Sequence, residues 1–131
     1  MQLIRNYIIT LVVFLIIDMV WLSVIARPIY KKYLGYIMAE KVNLFAAFLF
    51  YTIFILGIVV FVLNPAFMKG NWSSALLMGA FFGLVTYSTY DLTNLATVKE
   101  WPIFITVVDL LWGSFVSGIT SLISYLIIKS M

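Results

Sequence analysis

The sequence predicts an all-α polytopic membrane protein, folded as a four-transmembrane-helix antiparallel bundle. Three observations carry this expectation. Of 131 residues, 65% are hydrophobic and 10% charged, whereas a soluble domain carries about 25% charged residues. Thirteen charges cannot cover a water-facing surface, and a mean hydropathy of +1.15 excludes a disordered chain. The apolar residues fall into four continuous runs, each near the roughly 20 residues that a spanning helix needs, without the period-two alternation of a membrane barrel.

The runs are Leu3–Ala26, Leu44–Leu63, Ser73–Ala96 and Ile103–Ile128, read together as one transmembrane domain over residues 1–131. The first contains Asp18 and no small-residue cleavage pattern, so it reads as a retained helix rather than a signal peptide. The joint after it, Arg27–Asn43, holds Pro28, Lys31, Lys32, Glu40, Lys41, Tyr30, Tyr33 and Tyr36. A short amphipathic piece on the membrane surface is expected there, with the tyrosines as interface anchors.

The second run has no acid. It offers Tyr51, Thr52 and Gly57 and reads as a supporting or lipid-facing helix. Asn64, Pro65 and Gly70 mark the turn that follows. The third run contains Gly79-Ala80-Phe81-Phe82-Gly83, and the fourth contains Gly113, Ser114, Ser117, Gly118 and Ser121. Such small faces let transmembrane backbones approach closely, so runs three and four are expected to pair. A homodimer through the same face is the competing reading. Trp72 and Trp101 stand near run ends, where interface anchoring is the ordinary role.

All eight Lys and Arg residues lie at run ends or in joints. Arg27, Lys31, Lys32, Lys41 and Lys99 fall on one side and Arg5, Lys69 and Lys129 on the other. The positive-inside rule therefore favours joints 27–43 and 97–102 in the cytoplasm.

Three of the five acids depart from this pattern. Asp18, Asp91 and Asp109 lie inside runs one, three and four, where each costs about 2.5–3.5 kcal/mol on insertion scales. At 1.5 Å per residue they sit about 12, 8 and 9 Å from the same side. They are expected to converge in the bundle interior and to act as acid–base groups. Tyr87, Asp91 and Asn94 share a helix face by spacing, with Tyr90 beside them. Asp109 has Trp112 three residues on, and Asp18 has Trp21. Trp21, Tyr87, Tyr90, Asn94 and Trp112 are thus candidate substrate-binding residues. No Lys or Arg lies within the runs to pair the carboxylates, so either Arg27 and Lys99 snorkel inward from the boundary, or protons or a hard cation held by the acids and Asn94 balance part of their charge. No residue is assigned as a dedicated metal ligand, and the residues name no cofactor.

Asp18-Met19-Val20-Trp21-Leu22, the run from Tyr90 to Thr97, Trp101-Pro102 and Asp109-Leu110-Leu111-Trp112-Gly113 resemble the marks of a family of small four-helix bacterial inner-membrane proteins, a domain of unknown function. The resemblance covers essentially the whole chain. It implies a bacterial inner (plasma) membrane location and no particular activity.

Three function classes remain at this stage. The first is an enzyme modifying a lipid or small hydrophobic molecule by carboxylate acid–base chemistry. The second is a proton- or cation-coupled transporter acting as a dimer, although its acids lie in one leaflet rather than at the midplane where such carriers bind. The third is a binding or assembly subunit in which the acids are structural glue. The bilayer is the expected partner in each case, and nucleic acid is in none.

Overall fold

The computed structural model describes residues 2–38 and 43–131. Four long helices account for nearly all of them: α1 (Gln2–Leu34), α2 (Leu44–Lys69), α3 (Trp72–Thr97) and α4 (Ile103–Lys129). Helices α1, α2 and α4 are long and apolar enough to cross a membrane. Helix α3 is 26 residues long, but Ser73, Ser74, Thr86, Ser88, Thr89, Thr93 and Asn94 make it the more polar one.

Up to Val20, helix α1 turns most of its polar groups inward. On α1 the buried residues are Asn6, Thr10, Phe14 and Asp18, while Ile4, Ile8, Val12 and Ile16 face outward. Each set repeats every four residues, so polar and apolar groups hold opposite faces of one helix. Lipid is as apolar as these side chains, so nothing drives them inward. The inward face of α1 is left to groups that can pack closely or hydrogen-bond.

Helices α3 and α4 form the tightest pair. A Cβ placed on Gly79 would meet Ser121 and Ser117, and one on Gly83 would lie 2.0 Å from the Gly113 carbonyl oxygen. A Cβ on Gly113 would in turn strike the Tyr87 ring at 2.3 Å. Positions rise on one helix as they fall on the other, so the pair is antiparallel. The GxxxG face thus packs against α4 within the chain, as the expected pairing of runs three and four has it.

Helix α2 is not peripheral. Phe54, Ile55, Ile58, Val59, Val62, Leu63 and Ala66 are buried and join Phe14, Ala75, Val116 and Tyr125 in the apolar core. One face of α2 thus supports the core, while Phe45, Phe48, Ile53 and Phe61 on the other remain exposed.

Two helices run further than their prolines suggest. Pro28 and Pro65 were expected to mark joints, yet each lies two residues past a six-residue π-helical stretch, Trp21–Ala26 in α1 and Ile58–Leu63 in α2. Within an α-helix, proline lacks one N–H and crowds the carbonyl four residues back. Here the amide before each proline bonds five residues back instead, Arg27 to Leu22 and Asn64 to Val59. The widened turn makes room for the ring. Residues Arg27–Leu34 therefore continue α1 rather than forming a separate surface piece. The turn after α2 comes at Gly70, whose φ of 66° is the left-handed conformation glycine adopts freely. Glu40 and Lys41 lie outside the described residues.

Candidate functional site

The three intramembrane acids are all buried, but they divide into a pair and a single. Asp91 and Asp109 face each other across α3 and α4, within hydrogen-bond reach. Tyr30 donates its phenol to Asp109. Asp18 stands apart and accepts a hydrogen bond from the Tyr51 hydroxyl at 2.8 Å. Tyr87 lies between the two groups, within electrostatic reach of all three carboxylates. Tyr30, which donates to Asp109, also lines the space around Asp18, so the pair and the single adjoin. Among the described residues no group of three acids is placed to hold a metal ion.

Asp91 is completely covered, and neither of its carboxylate oxygens has a donor. An ionised carboxylate so placed is costly. A proton shared with the neighbouring Asp109 would supply a donor to one of the two oxygens.

A cavity of about 520 Å³ opens beside the pair, lined by Tyr30, Leu34, Met38, Phe50, Thr86, Tyr87, Tyr90, Asp91 and Asp109. Its walls are aromatic and aliphatic, and polar groups collect at one side. A second chamber of about 180 Å³ holds Asp18, Trp21, Tyr51 and Trp112. Tyr30, Phe50 and Tyr87 border both spaces. Trp21 and Trp112 stack at 4.2 Å with ring planes 8° apart, which ties α1 to α4 beside Asp18.

The structure treats the other sequence candidates unevenly. Tyr87 lines both chambers, and Tyr90 lines the larger one while remaining 62% exposed. Asn94 is half-buried and lines neither chamber, because at i+3 from Asp91 it sits nearer the bundle end. Trp101 is only 7% exposed and donates its indole N–H to the Thr106 hydroxyl at 3.2 Å. It closes the α3–α4 turn instead of anchoring at an interface. Trp72 is 55% exposed.

Tyr30 and Tyr51 were not expected at the site. Tyr51 could have been found by depth, since seven residues past Leu44 puts it about 10 Å in, level with the acids. Tyr30 could not. It reaches Asp109 only because α1 continues through Pro28, which no local signal announces.

The fold and its buried acids define an all-α integral membrane bundle. The chain belongs to the family described as Predicted membrane protein (DUF2177), which it matches over residues 3–126. No curated protein and no solved structure matches it.

Proposed function

We propose that the protein binds an amphiphile from the bilayer, a lipid or small hydrophobic molecule, and carries out proton-transfer chemistry on its polar end. The observation that supports this is the Asp91–Asp109 pair at the edge of an apolar cavity of about 520 Å³, a size within the range of small-molecule sites. Asp109 is the carboxyl that meets the substrate. Asp91 is covered, so it works through Asp109 as a positioning residue and holds the shared proton when Asp109 gives it up. Tyr30 orients Asp109 and can donate to the same substrate atom. Phe50, Met38 and Tyr90 form the apolar approach from the lipid side. A carboxyl pair with one proton can act as acid in one step and base in the next.

We further propose that all four helices cross the bilayer of a bacterial inner membrane, with residues 27–43 and 97–102 on the cytoplasmic side. Short joints and the five basic residues on that side support this orientation.

The test is a comparison of total lipid and hydrophobic-metabolite mass spectra from cells with the gene, without it, and with Asp109→Asn. Deletion should shift at least one species, and the variant should fail to restore it while accumulating in the membrane at normal level. Unchanged spectra on deletion, or full restoration by Asp109→Asn, would overturn the proposal.

A further inference from the structure

At the opposite end of the bundle a separate cavity of about 480 Å³ is lined by Gln2, Arg5, Asn6, Asn64, Phe67, Met68, Ile128 and Lys129. Its chemistry is the reverse of the acidic site. Two cations and three carboxamides line it, and no acid does. The Arg5 guanidinium is held in place by two hydrogen bonds of 3.3 Å to the Asn6 carboxamide oxygen. Asn6 itself is buried, at 6% exposure, and lines the cavity. Lys129 leans over the Tyr125 ring with its ammonium 5.5 Å from the centroid and 3.5 Å from the phenol oxygen. Neither cation has a carboxylate partner among the described residues. Phe67, Met68 and Ile128 supply the apolar part of its lining.

We infer that this cavity is a binding site for a phosphate-type oxyanion carried at the head of an anionic phospholipid. Guanidinium, ammonium and amide donors converging without a competing carboxylate match an oxyanion with several acceptor oxygens. The cavity lies at the end of helices that are long and apolar enough to span a membrane, the depth at which lipid phosphates sit. Its apolar wall fits the first carbons of an acyl chain. Arg5 comes from α1, Asn64 and Phe67 from α2, and Lys129 from α4, so an occupant would bridge three helices. The site does not involve the acids, and its ligand need not be the substrate.

Thermal unfolding of the purified full chain in neutral detergent, with added phosphatidylglycerol or phosphatidylcholine, tests this directly. Phosphatidylglycerol should raise the midpoint more than phosphatidylcholine. Arg5→Gln and Lys129→Gln should each weaken its apparent affinity about fivefold. Lys69→Gln is the control, because Lys69 is a cation at the same end that does not line the cavity; it should leave the affinity unchanged. Inorganic phosphate alone separates the sources. Equal stabilisation by phosphate, lost in Arg5→Gln, would assign the site to a soluble oxyanion, while stabilisation by the lipid alone assigns it to a headgroup. Equal effects of the two lipids with no effect of phosphate, or equal losses in Lys69→Gln and Lys129→Gln, would overturn the inference and leave only general surface charge.

Discussion

Two phenols hold the buried carboxylates, and the two contacts differ in what their loss would do. Tyr30→Phe removes the donor to Asp109, and Tyr51→Phe removes the donor to Asp18. A hydrogen bond to a charged group contributes about 1.5–3 kcal/mol. Each substitution should therefore lower stability by an amount of that order, read as a drop in the midpoint of unfolding in detergent. No change in either would mean that the carboxylates are satisfied some other way. Tyr30→Phe should also reduce turnover, whereas Tyr51→Phe should chiefly affect stability, since Tyr51 does not line the larger cavity. Asp91 presents a different case. It has no donor at present, so Asp91→Asn, which brings its own N–H to Asp109, should be tolerated or stabilising. Asp91→Leu strands Asp109 beside an apolar group and should cost more. The order Asn above Leu in unfolding midpoint is the expected result.

Along the elements, the α3–α4 seam is where single atoms matter. A methyl group at Gly83 would have to displace the Gly113 backbone, 2.0 Å away. Overpacking costs about 1–3 kcal/mol even where side chains can yield, and a backbone carbonyl yields less. Gly83→Ala should thus lower the unfolding midpoint clearly. Ser117→Ala should do little, because the Ser117 hydroxyl is buried without a hydrogen-bond partner and its removal leaves nothing newly unsatisfied. A larger loss for Ser117→Ala than for Gly83→Ala would contradict this packing. The seam was legible beforehand in Gly79, Gly83, Gly113 and Ser117, since small residues at spacing of four have few other uses in a membrane helix. The π-helical turns were not legible. Proline signals a break, and whether the chain turns or widens depends on what packs against the next residues. The Tyr30–Asp109 hydrogen bond holds the continuation of α1 against α4, and Tyr36, just past α1, donates to the Glu100 carbonyl in the α3–α4 turn.

For the molecule as a whole, the antiparallel arrangement can be checked because the chain has no cysteine. A Cβ on Gly118 would lie 3.2 Å from the Ala80 Cβ, close to the separation of about 3.5–4.5 Å found in disulfides. Ala80→Cys combined with Gly118→Cys should form a cross-link within one chain on mild oxidation, seen as a mobility shift without a dimer band. A cross-linked dimer in place of the shift would contradict the intrachain pairing of α3 and α4. The orientation proposed from the basic residues has its own measurement: a reporter fused after Met131 should be active only if it functions outside the cytoplasm.

The sequence by itself determined the class of this protein, its helical content and the three residues most out of place in it. Each of these follows from local quantities: the length of apolar runs, the cost of a charge in hydrocarbon, and the depth set by helix rise. Tertiary structure alone decided that Asp91 joins Asp109 while Asp18 joins Tyr51, that α2 is core, and that Tyr30 belongs to the site. Helix rise places a residue in depth but does not set the angle at which it faces its neighbours. That angle comes from which faces pack, and here a glycine seam and two widened turns set it.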